Sequence, residues 1–544
     1  MNLTSRIIAW VFRLPRAKTY DVLVERDIQV PMPDGVVLLA DHYYPRGSNK
    51  LPTVLVRSPY GRGGIYGLLF ARVFAERGFQ ALIQSCRGTF GSGGALDLFR
   101  NERADGLATI KWLKAQDWFS GAFAMVGGSY LGFVQWAVAA DTGPELKAMM
   151  PQVTASDLRS SAYPGGSFWL ETSLNLVYGL AHQENSPFAL FLDMARSGRA
   201  LRPAFKHLPL CGADEIAIGK PVPFFRDWLE HNALGDEWWE PADFSGTVSE
   251  VTAPVHLLEG WYDLFTPQTI ADYERLRQAG RQPHLTIGPW AHGSLGQIQV
   301  GMRESITWLR AYLLGNRSGL RDKPVRIYVM GAEEWREYSE WPPTGYREQR
   351  WLLQSGGKLS TAMPEESEPD RYRYDPVDPT PAVGGTGLGV SGPKDNRALE
   401  ARADVLCYTS EPLDHDVEVI GPVRAKLYVK SSLEHTDFFA RLCEVFPRGK
   451  SINVCDGLLR LHPGHPVPEA DGCLKIGIDL WPTAYRFRRG HRLRLQVSSG
   501  AHPRFARNLG SGEPLATATT LIAADQTVYH DPTHPSAIIL PVMG

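Results

Sequence analysis

Two periodicities divide the chain. Up to about residue 320, short apolar runs alternate with helical stretches; beyond it, short strand-like runs follow one another between Gly and Pro turns. Residues 22–45 alternate apolar and polar positions around the turn Pro33-Asp34-Gly35, which predicts an antiparallel hairpin at a sheet edge. Thr53–Val56 and Phe79–Gln84 are continuous apolar runs of the kind buried on both faces of a parallel sheet. Leu68–Arg77 and Asn101–Gln116 have helical spacing, the second with Ala108, Ile110, Trp112 and Leu113 on one side. Strand signals return at Val255–Leu258 and His284–Ile287, with helical patterns at Thr269–Ala279 and Ser305–Leu314. Strands alternating with helices predict a largely parallel sheet covered on both faces.

The stretch from about 155 to 245 breaks this alternation. It is helical, proline-rich and aromatic, with Trp169, Phe224, Phe225, Trp228, Trp238 and Trp239, and has little strand signal. It reads as a helical cap inserted near the C-terminal edge of the sheet, where ligands bind in open α/β folds. From about Pro324 the candidates are strands: Val325–Met330, Arg350–Leu353, Val419–Val429, Ala440–Val445, Leu474–Leu480 and Leu493–Val497, with a long loop expected over 363–398. That is an all-β sandwich or jelly roll. The expected organisation is therefore 1–154 and 246–320 as the two parts of one α/β domain, 155–245 as the cap, and 321–544 as the β domain.

Length and composition bound the chemistry. At 544 residues, 43% hydrophobic and 21% charged, the chain is globular and too long for one core. A formal net charge of −2 gives no reason to expect a nucleic-acid partner. None of the six cysteines forms a C-x-x-C pair, so no metal or redox motif is implied, and free buried thiols fit a reducing, cytoplasmic setting. No cofactor is expected. Near the N-terminus, Ile7, Ile8, Trp10, Val11, Phe12 and Leu14 interleave with Arg6, Arg13 and Arg16. The run is too short to span a bilayer. It fits a helix docked on the protein, the favoured reading, or a basic interfacial helix on a membrane.

The chemistry centres on Met125-Val126-Gly127-Gly128-Ser129-Tyr130-Leu131-Gly132. An apolar strand enters, a serine sits at a glycine-rich turn, and the apolar run Phe133–Ala140 leaves as a helix. That is the geometry of a nucleophile elbow, although the third glycine stands one residue later than G-x-S-x-G requires. An activated serine needs a base, and the base an orienting acid. Asp263 and His292 follow the two later strands, in the chain order Ser, Asp, His of α/β-hydrolases. All three would emerge at one sheet edge.

The elbow resembles the G-x-S-Y-x-G turn of the cocaine esterase (CocE/NonD) group of serine hydrolases, related to X-prolyl dipeptidyl-peptidases and α-amino-acid ester hydrolases. The displaced glycine is that group's own pattern. The resemblance extends to Val30–Gly35, Arg57-Ser58-Pro59-Tyr60, Cys86-Arg87-Gly88, Gly91–Gly94, Gly260–Asp263, Gly288–His292, Val329-Met330-Gly331 and Gly490-His491-Arg492. It implies an α/β-hydrolase domain, a helical cap and a C-terminal jelly roll of galactose-binding-like type. It also implies Ser129 as nucleophile, His292 as general base and Asp263 as orienting acid, with the Tyr60 hydroxyl and the Tyr130 backbone N–H as oxyanion donors.

Leu264-Phe265-Thr266 stand where α-amino-acid ester hydrolases carry acidic residues for a substrate ammonium, so an acyl group with a free α-amine is disfavoured. Leu264 and Phe265, with Tyr163, Phe168 and Trp169, suggest an apolar or aromatic acyl pocket; each equally suits core packing. The expected reaction is cleavage of a small-molecule ester or amide through an acyl-serine. The runner-up is an X-prolyl dipeptidyl-peptidase, against which stands the lack of room for that group's extra N-terminal domain. A rival of another class is a binding protein on an inactive hydrolase scaffold. Pairing into a homodimer is left open.

Overall fold

The computed structural model describes residues 3–389, 391–464 and 466–544. The chain forms two compact units: Met1–Arg159, Asp236–Gly260 and Phe265–Arg326 make the first; Ser160–Gly235, Trp261–Leu264 and Ile327–Gly544 make the second.

The first unit is built on a sheet whose strands are β1 (Val22–Pro31), β2 (Val37–Pro45), β3 (Thr53–Ser58), β4 (Gln80–Ser85), β5 (Phe123–Gly128), β6 (Leu146–Gln152), β7 (His256–Tyr262) and β8 (His284–Ala291). Their order is β1-β2-β4-β3-β5-β6-β7-β8. The hairpin β1–β2 is antiparallel and occupies the edge, as its alternation predicts. From β4 inward the pairings β3–β4, β3–β5, β5–β6 and β6–β7 are parallel. Every residue of β3 and β4 is buried, which explains why these strands read as unbroken runs rather than alternations.

The helix Glu102–Lys114 lies between β4 and β5, Tyr130–Ala139 between β5 and β6, Thr266–Gln278 between β7 and β8, and Leu295–Leu313 after β8. The last is longer than its sequence pattern suggests, because Gln297, Gly301 and Met302 are buried along its first turns. All of Tyr130–Ala139 is buried, so this helix, apolar all round, sits within the core. The expected helix Leu68–Arg77 begins as a π-turn at Leu68–Arg72, which joins the short α-helical pieces Gly64–Gly67 before it and Val73–Ala75 after it.

The second unit combines the helices Leu170–His182, Pro187–Lys206, Ala213–Ile218 and Pro223–Glu230 with the C-terminal strands. Helical segment and strands pack closely: a Cβ at Gly165 would lie 1.7 Å from the Leu458 carbonyl oxygen. Each of the six strand candidates beyond Pro324 falls within or overlaps a strand. Ser451–Leu461, Ala524–Tyr529 and Ala537–Met543 are further strands, and Asp370–Tyr374 is a strand inside the expected loop. Asp456, in the middle of Ser451–Leu461, is buried between Arg441 (2.9 Å) and Arg504 (2.6 Å), a polar interior that an apolar pattern cannot reveal. This part of the chain is all-β; among its described residues, Arg397–Glu400 is the α-helix.

Candidate active site

At the end of β5 the backbone turns abruptly. Ser129 has φ 58° and ψ −126°, a strained conformation for a residue with a Cβ, and the helix begins at the next residue. The turn is held at both sides. The Ser129 N–H donates to the Gln152 carbonyl at 2.9 Å, and the Ser129 carbonyl accepts from the N–H groups of Gly132 (2.8 Å) and Phe133 (3.0 Å) and from the Thr154 hydroxyl (2.9 Å). Strain persists where surroundings over-determine it, and such residues concentrate at functional sites.

The glycines have separate jobs. Gly127 has φ 148°, and a Cβ there would fall 2.5 Å from the Leu131 Cβ. A Cβ on Gly132 would fall 2.5 Å from the Thr154 Cγ2. The third glycine thus lets the helix start approach the chain beyond β6, and its place at 132 follows from where Thr154 stands.

Tyr130 is the first residue of its helix, and a first-turn N–H has no intrahelical acceptor. The positive end of the helix dipole therefore lies at the residue after Ser129. The Tyr130 side chain runs into the core. Its hydroxyl donates to Glu102 Oε1 at 2.6 Å and accepts from the Phe99 N–H at 3.1 Å. Glu102 Oε2 is 2.6 Å from the buried Arg57 guanidinium, which also donates to Gln84 and to the Glu102 carbonyl. Burial, with Glu102 beside it, holds the Tyr130 phenol far above the usual tyrosine range, so the hydroxyl stays a donor. Arg57 ends three residues before Tyr60, so this buried ion pair ties the Tyr60 loop to the start of the Ser129 helix.

A cavity of about 340 Å3 opens at Ser129. Tyr60, Ser129 and His292 all line it, which brings together three of the residues singled out in the sequence. Burial raises the Tyr60 phenol's pKa above its ordinary value, and the neighbouring Ser129 side chain acts in the opposite direction. The Tyr60 ring packs on Tyr66 (5.3 Å between centroids) and edge-on to Tyr130 (6.4 Å). His292 follows β8 directly, and the Phe265 ring meets its imidazole in a T-shaped contact at 5.7 Å. Asp263 follows β7 directly and is fully buried.

The other pocket candidates lie elsewhere. Phe168 is buried between Tyr163 (5.3 Å) and Phe225 (6.0 Å), and Trp169 packs against Trp481 (5.8 Å) and Phe505 (6.1 Å), all within the second unit. Leu264 is buried. The apolar wall of the cavity at Ser129 includes Ile65, Leu69, Phe70, Leu131, Ile298 and Met302, which sequence reading missed. They sit on helices at spacings typical of core packing, so periodicity hides them; only the Gly-rich break at Gly63-Gly64 before the first two hints at a loop-to-helix wall.

For metals, Asp471, Cys473 and His534 converge in the second unit. His534 sits 3.1 Å from both Asp471 and Asp531, and burial pushes the Cys473 thiol up to about 11. An imidazole in contact with two carboxylates, beside a protonated thiol, is accounted for as a hydrogen-bonded cluster.

Comparison with known proteins converges on one group. Residues 34–294 match the X-Pro dipeptidyl-peptidase (S15) family, and residues 318–539 match the X-Pro dipeptidyl-peptidase C-terminal non-catalytic domain. The chain is 31% identical over 568 residues to a cocaine esterase of Rhodococcus sp. (strain MB1 Bresler), covering 96% of this chain and 98% of that protein. Among solved structures, an α-amino acid ester hydrolase superposes with a TM-score of 0.80 at 24% identity, over 97% of this chain and 98% of that one. A CocE/NonD family hydrolase from Staphylococcus aureus gives 0.71 at 18%, over 96% and 94%. These two structures share the fold.

Proposed function

The chain belongs to the cocaine esterase-like (CocE/NonD) family of serine hydrolases, and from that premise we propose that Ser129 attacks an ester carbonyl in the cavity it lines. His292 takes the serine proton as general base, and Asp263 holds the imidazole in the tautomer that accepts it. The oxyanion that develops receives hydrogen bonds from the Tyr60 hydroxyl and the Tyr130 N–H. His292 then returns the proton to the leaving alcohol, and a water activated by the same imidazole releases the acid from the acyl-serine.

The observation that carries this reading is the strained Ser129 turn opening into a cavity that Tyr60 and His292 also line. A serine at φ 58° serves no packing purpose that a glycine would not meet without strain. The wall of Ile65, Leu69, Phe70, Leu131, Ile298 and Met302 favours a bulky, uncharged acyl or aryl group, and among the described residues no Asp, Glu, Lys or Arg lines this cavity. Phe265 supports the site through the His292 ring. We place the all-β domain in the jelly-roll class and the working compartment in the cytoplasm.

A panel of p-nitrophenyl esters tests the reading. Aryl and branched acyl esters should turn over faster than acetate, and esters of amino acids with a free α-amine slowest. An Ala-Pro anilide should be a poor substrate. Rapid release of the dipeptide, with slow aryl-ester turnover, would favour an X-prolyl dipeptidyl-peptidase instead.

A further inference from the structure

The N-terminal helix, Leu3–Val11, is oriented opposite to what a docked amphipathic helix requires. Its inward side is anchored by a small polar residue: the buried Ser5 hydroxyl donates to the Glu76 carboxylate. Phe12, two turns on, is buried on the same side. The segment that follows is pinned as well. Arg77 donates to the Pro15 carbonyl at 2.9 Å, and the Lys18 N–H donates to the Glu76 carbonyl at 2.7 Å.

The outward side is apolar. Leu3 is 68% exposed, Ile7 53%, Trp10 81% and Val11 41%, at the i, i+4, i+7, i+8 spacing that puts them in one stripe. Four large apolar side chains presented together on a nine-residue helix form a patch of the kind that marks an interaction surface. The charges around the stripe have one sign. Arg6, Arg13, Arg16 and Lys18 are all exposed, and no Asp or Glu occurs between residues 3 and 20. The first acidic residue, Asp21, is paired with Arg46 at 2.9 Å. The basic Arg72 also lies near, acting on Glu76 together with Arg6.

We propose that this face seats on an anionic lipid surface, with Leu3, Ile7, Trp10 and Val11 entering the headgroup–acyl boundary and the four cations meeting lipid phosphates. An apolar stripe with a tryptophan, flanked by Arg and Lys and free of carboxylates, matches the two-part attraction of interfacial helices. A second copy of the chain is the less favoured occupant. The helix would have to meet a like-charged copy of itself in a two-fold contact, or an acidic face on a chain whose formal net charge is only −2. Because the helix is fixed through Ser5 and Phe12, no unfolding is needed to present the stripe.

Co-sedimentation of the full chain with vesicles tests this. Phosphatidylcholine vesicles with about a third phosphatidylglycerol should carry the protein down at low salt, and pure phosphatidylcholine at least tenfold less. Raising the salt should release it. Ile7→Glu with Trp10→Glu should lower vesicle binding at least tenfold while p-nitrophenyl ester hydrolysis stays unchanged, which shows that the variant is folded. Arg13→Gln with Arg16→Gln should weaken binding several-fold at low salt. Wild-type protein left in the supernatant with anionic vesicles overturns the proposal, as does undiminished binding by the Ile7/Trp10 variant. A wild-type dimer by light scattering that the Ile7/Trp10 variant dissociates would assign the face to a second copy instead.

Discussion

Two cavities in this molecule differ in a way that separates reactivity from polarity. The cleft in the second unit, about 420 Å3, is crowded with ionisable groups: Glu230, His435, Arg460, His502, Arg507 and Glu513. The cavity at Ser129 has one imidazole, two phenols, the serine hydroxyl and the carboxamides of Gln152 and Gln297 set among aliphatic walls and the Phe70 ring. Yet the charged cleft's groups are largely committed to the fold. Arg460 is bidentate to Asp437 at 2.9 and 2.8 Å, and Arg507 donates to the carbonyls of Pro376 and Lys206. Glu513 accepts from the N–H groups of Thr519 and Thr520. Burial pushes His502 down to about 4, so it is neutral at physiological pH. At Ser129 the backbone itself is strained, and the Tyr60 phenol lines the same cavity as the serine. In the charged cleft, then, the charges are engaged by the fold, while the Ser129 cavity combines backbone strain with a largely apolar wall.

That contrast can be broken by substitution. Ser129→Ala should lower kcat for a p-nitrophenyl ester by at least about 10⁴-fold with an unchanged melting curve. A comparable loss from a residue of the charged cleft would dissolve the distinction. Glu102→Gln leaves the fully buried Arg57 guanidinium without its 2.6 Å counter-charge. Breaking a buried pair from one side costs about 3–5 kcal/mol, so the denaturant midpoint should drop sharply. Tyr60→Phe should reduce kcat on the order of 10²–10³-fold with KM little changed, since the phenol acts when the oxyanion forms.

Gly132→Ala forces a methyl to within 2.5 Å of Thr154 and should cost about 1–3 kcal/mol of stability. Thr154→Ser in the same chain, which removes the clashing Cγ2, should restore part of it. Arg507→Gln in the charged cleft should leave ester hydrolysis within about twofold of wild type. The pH profile sharpens the same point. An acid whose pKa is raised keeps its proton at higher pH, so Tyr60 should still donate where an ordinary tyrosine ionises, and kcat should hold up to about pH 10.

Much of the site's scaffold was legible in the sequence because each part carries its own local signal. Apolar runs marked β3, β5, β7 and β8, and the residues after the last three strands are Ser129, Asp263 and His292. Glycines marked the turn at Ser129 because only they tolerate the close approach of Leu131 and Thr154. What stayed hidden depends on long-range contacts. Glu102 stands in the first turn of its helix, and nothing local says that its carboxylate meets Tyr130 and Arg57. Ile298 and Met302 lie on a helix whose pattern does not distinguish core from cavity. The N-terminal helix is apolar on both sides, so the pattern could not say which side turns inward; Ser5, not an apolar residue, takes the anchoring place.

The proposed function stands or falls with Ser129 as a nucleophile in its cavity. The most direct measurement is treatment of the folded protein with a fluorophosphonate probe, followed by mapping of the adduct by mass spectrometry. One stoichiometric phosphonyl adduct is expected on Ser129, lost in Ser129→Ala and strongly slowed in His292→Ala. Absence of labelling, or an adduct on another residue with Ser129 unmodified, would contradict it.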